Sequence, residues 1–274
     1  DLYLALQHGN IPVDFIDEED LGFSQLKSYR VIYLTEPNLP LEAGKALLRW
    51  VRSGGTLVRS PNSGEKDRYN EPAPLFSSIL GVQENPRERT CFNSLKQLNE
   101  SGRVESSNGR IAARGPRSNL LAYRGSVLAH FENGTPAVLR TGLGAGQVFH
   151  FSWFSGLSYA ASSTTQKDKL PTGFSKEIRN LILLPTTTAE VECPVMVDRE
   201  MVETPMLLTK TGAAITLLNW TGEKISRMTV TARVPFKPAR VESVRKGPIK
   251  FHLRGKTATF EIELGAADIV LVKE

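Results

Sequence analysis

Hydrophobic and polar positions near the start of the chain follow two periods, one typical of strands and one typical of helices. The run 30–36 is almost continuously apolar, which indicates a strand covered on both faces. Residues 41–54 then place their apolar positions on one helical stripe, which Gly54 and Gly55 end. The run 56–60 predicts a second strand. This alternation predicts a mostly parallel sheet with helices on both faces, and residues 31–34 and 56–58 among its central strands.

Strand patterns dominate from residue 126 onwards. The runs 126–131 and 136–141 flank Asn133 and Gly134, a pair that supplies the positive φ angles of a tight hairpin turn. GLGAG at 142–146 lies between two strand patterns, so it predicts another hairpin turn in preference to a phosphate-binding loop.

Other stretches have weaker signals. Residues 2–8 predict the end of a helix, and 11–16 predict a short strand. Residues 81–117 have little periodicity and predict a long irregular excursion. Residues 173–184 predict a closing helix that Pro185 stops.

After residue 185 the pattern consists of short strands alone. About seven strand-like runs occur within 90 residues, separated by turns that contain glycine. This spacing is typical of a small antiparallel sandwich. The sequence therefore predicts two domains, an α/β domain over residues 1–184 and an all-β domain over residues 185–274.

Composition and charge exclude some classes of protein. The 274 residues are 40% hydrophobic and 23% charged, as in a folded globular protein, and no apolar run is long enough to span a bilayer. The net charge is +5, with 13 basic against 7 acidic residues in 81–184. Those basic residues are scattered singly, so we predict a solvated or subunit-facing surface and no nucleic-acid partner.

Motifs that would identify an enzyme are missing from the sequence. A G-x-G-x-x-G turn, a Walker loop, a nucleophile elbow and an H-E-x-x-H helix do not occur. Cys91 and Cys193 have no partners at metal-ligand spacing, and the histidines (His8, His130, His150 and His252) are far apart. We therefore predict no catalytic residue, no metal and no cofactor.

The carboxyl edge of the predicted sheet is where α/β folds place ligands, and polar side chains follow its strands. An acidic run at 17–20 and the loop after the strand at 56–60 supply them. Turn and capping roles are the simpler interpretation, for example Asp17 as a cap. The ligand-binding candidates are Asp17, Glu18, Ser60, Asn62, Ser63, Asp67 and Tyr69.

Several segments together resemble a known family. These are IPVDFIDEEDL, the stretch SYRVIYLTEPNLPLEAGKALLRWVRSGGTLVRSPNSGEKDRYNEP, and HFENGTPAVLRTGLGAGQVFHFSWFSGLSY. They look like the glutamine-amidotransferase-like trimerisation domain of family 42 β-galactosidases. The last 90 residues resemble the small β domain that ends such chains. The resemblance implies a flavodoxin-like, class I glutamine-amidotransferase-like three-layer fold, and a homo-oligomer, first of all a trimer.

The resemblance also implies that catalysis lies elsewhere. Family 42 enzymes carry their catalytic glutamates in a TIM barrel, which would precede this region as an upstream domain, and amidotransferases need a Cys elbow that this sequence lacks. The chain opens inside a helix and lacks the family's first strand, so we expect a fragment, and its compartment cannot be inferred.

Two functions from different classes remain open. The first is a non-catalytic assembly region of a larger β-galactosidase-like protein. The second is a small-molecule hydrolase or ligand sensor that uses the carboxyl edge of the sheet. Sugar binding by the β domain would require exposed Trp220 and Phe236.

Overall fold

The computed structural model describes residues 1–85, 98–107, 109–165 and 170–274, so Cys91 lies outside the described residues. The chain divides into two compact units, each assembled from separated segments. The α/β unit comprises residues 14–161 and 176–191. The β unit comprises residues 1–13, 162–175 and 192–274. No helix in the described ranges is long and apolar enough to cross a membrane.

The helices and strands are numbered in chain order. The helices are α1 Leu2–Gln7, α2 Phe23–Leu26, α3 Leu41–Arg52, α4 Leu75–Leu80, α5 Ser155–Ser162 and α6 Lys176–Thr188, with one 3-10 turn at Glu18–Asp20. The strands up to residue 151 are β1 Val31–Leu34, β2 Thr56–Arg59, β3 Gln83–Glu84, β4 Glu100–Ser106, β5 Gly109–Arg114, β6 Leu120–Ala122, β7 Ser126–Phe131, β8 Pro136–Leu143 and β9 Gly146–Phe151. The later strands are β10 Val195–Val197, β11 Val202–Glu203, β12 Met206–Thr209, β13 Gly212–Asn219, β14 Ile225–Arg233, β15 Arg240–Ser243, β16 Gly247–Pro248, β17 Phe251–Arg254, β18 Thr257–Leu264 and β19 Ala267–Lys273.

The α/β unit is built on a seven-stranded mixed sheet. Its strand order is β1-β2-β9-β8-β7-β4-β5. The pairs β1–β2 and β2–β9 are parallel, whereas the remaining neighbours pair antiparallel. The α/β class is thereby confirmed, and the parallel pairing expected of residues 31–34 and 56–58 is found. β1 is, however, at the end of the strand order and not in its centre.

Helix α3 covers the parallel strands with the apolar stripe seen in the sequence. Leu47, Trp50 and Val51 are buried in one cluster with Leu57 of β2 and Val148 of β9. Such a continuous stripe arises because apolar residues three and four positions apart share one helical face. A methyl group added at Gly55 would come within 2.4 Å of the Trp50 ring, so this glycine permits the tight return into β2.

The two predicted hairpins are present. β7 and β8 pair antiparallel around Gly134, whose φ of 80° suits glycine, whereas Asn133 lacks the positive φ expected of both turn residues. β8 and β9 pair around 142–146. A Cβ at Gly146 would lie 2.0 Å from the carbonyl oxygen of Val51, so the hairpin can approach α3 only with glycine there. The interpretation of GLGAG as a turn is confirmed.

Besides α1, the β unit contains antiparallel sheets around one apolar core. One sheet has the order β10-β14-β18-β17, and another has the order β11-β13-β19-β15-β16, with β12 paired to β13. Side chains from both sheets, such as Val230, Phe260, Ile215 and Val270, meet in a single buried cluster. The expected antiparallel β region is therefore confirmed.

Three local expectations were wrong. Residues 11–16 form no strand, and Phe15 among them is 83% exposed. The described residues of 81–117 are more regular than predicted, since β4 and β5 extend the seven-stranded sheet. Pro185 lies inside α6 and does not stop it. The division into domains at residues 184 and 185 stays a prediction.

Candidate functional site

The loop that follows β2 carries three of the seven candidates to the carboxyl end of the parallel strands. Ser60 and Ser63 are buried, with 8% and 0% of their surface exposed. Asn62 adopts a left-handed backbone with φ of 56°, which asparagine tolerates better than most residues. Its backbone N–H donates to Glu84 Oε1 at 2.8 Å, and its side-chain amide donates to the carbonyl of Asn85 at 3.2 Å. Asn62 thus connects this loop to β3.

Glu84 is the centre of a buried polar cluster. Besides Asn62, its carboxylate accepts a hydrogen bond from the Ser118 hydroxyl and lies 3.3 Å from His150 Nε2. The side chains of Glu84 and His150 are 5% and 3% exposed. Burial by itself would raise the pKa of Glu84, but His150, Arg59 and Ser118 outweigh it and lower this pKa to about 2. Glu84 is therefore ionised at neutral pH.

Arg59 supplies a positive charge beside Glu84. It pairs with His150 in the parallel register of β2 and β9, and its side chain is 1% exposed. The guanidinium donates to the Ser63 carbonyl and, at 2.5 Å, to Glu65 Oε1, and it also lies over the Phe76 ring. A buried charge requires such partners because desolvation is costly.

The other four candidates are turn residues. Asp17 Oδ1 accepts a hydrogen bond from the backbone N–H of Glu19, so Asp17 is the cap that the sequence suggested. Glu18 is exposed in the same 3-10 turn. Asp67 Oδ1 accepts the N–H groups of Tyr69 and Glu71, and Tyr69 is 78% exposed. Within the described ranges, no hydrogen bond joins these four to the cluster around Glu84.

The chemistry available to the cluster follows from its contacts. Nucleophilic catalysis requires a hydroxyl or thiol bonded to a base. Ser118 donates to Glu84 and not to His150, and neither His150 Nδ1 nor the Ser63 hydroxyl has a hydrogen-bond partner among the described residues. Glu84 is a weak base because its pKa is about 2, so the cluster joins β2, β3, β9 and the segment at Ser118 without a base strong enough to activate the Ser118 hydroxyl.

The sequence patterns did not identify Glu84, Ser118 or Arg59 as members of this cluster, and they assigned no role to His150. Glu84 lies in the stretch 81–117 that was predicted to be irregular and Ser118 directly follows it, and the sequence there has no period from which to infer a partner. A signal did exist for His150, since a titratable side chain within the buried run of β9 needs a polar partner.

The aromatic candidates of the β unit pack inward. Trp220 lies against the rings of His8 and Phe174, with centroid distances of 5.4 and 6.4 Å. Phe236 is partly buried against the core of the β unit. This packing does not favour a sugar-binding platform on these two residues.

The fold defines the class of this chain, which is a mixed α/β module with an antiparallel β module. The described residues, including the buried polar cluster around Glu84, form no catalytic constellation. The chain belongs to the family of β-galactosidase trimerisation domains, which matches residues 1–160. The resemblance to family 42 seen in the sequence is confirmed.

Several solved structures have a fold similar to that of this chain. A β-galactosidase of family 42 from G. stearothermophilus matches this chain with a TM-score of 0.68 at 14% sequence identity. A β-galactosidase from Bacillus circulans sp. alkalophilus matches with a TM-score of 0.66 at 16% sequence identity. Both matches cover 100% of this chain, but 35% and 36% of those chains. An α-L-fucosidase from Paenibacillus thiaminolyticus has a TM-score of 0.63 at 14% identity, with 98% and 44% covered. At these identities the likeness is one of fold. No curated protein matches the sequence.

The chain spans about a third of the length of the family 42 β-galactosidases that it resembles.

Proposed function

We propose that this chain is the non-catalytic assembly region of a larger β-galactosidase-like protein, whose catalytic barrel lies upstream of it in the parent chain. The observation that carries the proposal is the match of residues 1–160 to the β-galactosidase trimerisation domain. The closed cluster around Glu84 supports it, because buried charges that join four segments stabilise a scaffold and offer no reacting group to a substrate.

The finer architecture belongs to the same proposal. We assign the α/β domain, residues 1–184, to the flavodoxin-like, class I glutamine-amidotransferase-like three-layer fold, followed by the β domain at 185–274. Support comes from the parallel strands β1, β2 and β9 and from α3 packed on them. The partner is a second and third copy of the same chain, held through the α/β domain as a homotrimer.

The second function, a small-molecule hydrolase or ligand sensor, has less support. It would use Ser60, Asn62 and Ser63 with the exposed Asp67 and Tyr69. Ser60 and Ser63 are buried, and in the described ranges His150 contacts no hydroxyl that it could activate.

The test combines light scattering with an activity assay on the 274-residue chain. We expect a mass of three chains at micromolar concentration and no turnover of a chromogenic galactoside. A chain that stays monomeric at every concentration, or one that hydrolyses the galactoside, contradicts the proposal. Turnover of an ester that Ser63→Ala abolishes would instead establish the second function.

A further inference from the structure

A groove on the outer face of the α/β unit runs between α3 and α4. Its volume is about 280 Å³, which exceeds the roughly 150 Å³ that admits a benzene ring in a protein cavity. Leu75 and Ile79 provide apolar surface, and Glu42, Lys45, Arg49 and Arg52 line it from α3. The groove thus combines room for one ring with a basic rim.

The rim has an excess of positive charge. Glu42 pairs with Lys45 at 2.7 Å, and it is the single acidic residue that lines the groove. Hydrogen bonding and charge attraction from Lys45 lower the pKa of Glu42, so this carboxyl is ionised. Three basic side chains against one carboxylate leave two net positive charges, and Arg52 makes no ion pair within the described ranges.

Residues 15–20 of the same unit form a surface of opposite character. Phe15 is 83% exposed, and the carboxylates of Asp17, Glu18, Glu19 and Asp20 follow it on the surface. These four carboxylates make no ion pair among the described residues. Four adjacent acidic groups beside one exposed ring are complementary to a basic groove with apolar walls. We call residues 15–20 the acidic segment and the surface between α3 and α4 the basic groove.

We propose that the basic groove of one copy of this chain receives the acidic segment of the next copy, with Phe15 between Leu75 and Ile79. The inference rests on the proposed assembly function. Contact between two different surfaces is head-to-tail, and head-to-tail contacts between identical chains form a closed ring, such as a trimer, when the rotation closes. An interface of one surface with itself would give a dimer instead.

Charge reversal on either side tests the pairing. Arg49→Glu/Arg52→Glu places acidic groups on both sides of the contact, and Asp17→Lys/Glu18→Lys places basic groups on both. Each pair should raise the dissociation constant of the trimer at least about tenfold, measured by light scattering across a dilution series. Phe15→Ala should also weaken the trimer, and added salt should weaken the unmodified chain.

A variant that combines all four substitutions is the most informative one. It again places opposite charges on the two sides of the contact, with the acidic groups now in the groove and the basic groups on the segment. It should associate more tightly than either pair alone, which a folding defect would not produce. Arg227→Glu/Arg233→Glu, on exposed residues of the β unit, is the control of equal charge change and should leave the trimer intact. Circular dichroism checks the fold of each variant.

The outcomes separate the two proposals. If the unmodified chain is a trimer and the reversals leave its dissociation constant unchanged, the groove pairing is wrong and the assembly function stands. If the combined variant is no tighter than either pair, the pairing is also wrong. If the unmodified chain is a monomer throughout, both proposals fail.

Discussion

Each compact unit buries a glutamate, and the two glutamates differ in their neighbours. Glu84 of the α/β unit has His150, Arg59 and Ser118 around it, and its pKa falls to about 2. Glu203 of the β unit is 5% exposed, and burial raises its pKa, with the nearby Trp220 indole as the opposing influence. Burial by itself favours the neutral carboxyl in both places. The neighbours, and not the depth of burial, therefore decide the charge.

The rest of each unit shows the same difference. The α/β unit holds Arg59 and His150 in its interior with counter-charges. In the β unit the ion pairs lie at the surface, as in Arg227–Glu261 and Lys224–Glu263, above an apolar core. A buried pair destabilises a fold strongly when one partner is removed, whereas an exposed pair contributes little. The two units should consequently respond to different substitutions.

Apolar truncation should have the largest effect, and the effect should be alike in both units. Trp50→Ala in α3 and Phe260→Ala in β18 each remove a ring that is less than 5% exposed. Each should lower the free energy of unfolding by about 3–5 kcal/mol in urea denaturation. A loss below about 1 kcal/mol for Trp50→Ala would show that its core contacts contribute little.

Removal of the buried Arg59 guanidinium should have the second-largest effect on stability, and it should separate the α/β unit from the β unit. Arg59→Met leaves Glu65 and Glu84 without their guanidinium partner and should cost about 3–5 kcal/mol of unfolding free energy. The matched substitution Arg227→Met on β14, at an exposed pair, should have little effect. Equal losses of unfolding free energy in the two variants would show that buried and exposed ion pairs contribute alike to the stability of the two units.

Neutralisation of Glu84 should change the acid limb of the stability curve. The folded-state pKa lies below the ordinary value of 4.5, so the ionised carboxylate stabilises the fold above about pH 4.5, and this contribution is lost as pH falls towards 2. Glu84→Gln should therefore be less stable at pH 7 and less sensitive to acid over that window. Urea unfolding at several pH values measures both. Glu261→Gln, at an exposed pair, is the control, and a Glu84→Gln curve parallel to it would contradict the assignment.

Neutralisation of Glu203 should act in the opposite direction and more weakly. Its folded-state pKa is raised, so its contribution to stability is present below pH 4.5 and is lost as pH rises through the folded value. Glu203→Gln should keep that stability at neutral pH, where the variant should match or exceed the parent. Thermal unfolding at pH 4 and pH 7 measures the difference. A variant that loses stability at pH 7 would show that the charged form is the favoured one.

The sequence by itself determined the periodic elements. The stripe of α3, the apolar run of β1 and the alternation in β18 each depend on neighbours within one helix or strand, and the structure contains all three. In β18, for example, Phe260, Ile262 and Leu264 are buried while Glu261 faces Arg227 at the surface. Successive side chains of a strand point to opposite faces, so this outcome follows from spacing.

Only the tertiary structure decided the buried cluster. Glu84, Ser118 and His150 are separated by more than 30 residues from one another, and no local period relates them. The pairing of β2 with β9 places Arg59 beside His150, and β3 then brings Glu84 to both. Pro185 within α6 and β1 at the sheet end were likewise missed, because tertiary packing overrides local preference. Which residues meet across a sheet depends on strand order, and strand order is set by the free energy of the whole fold.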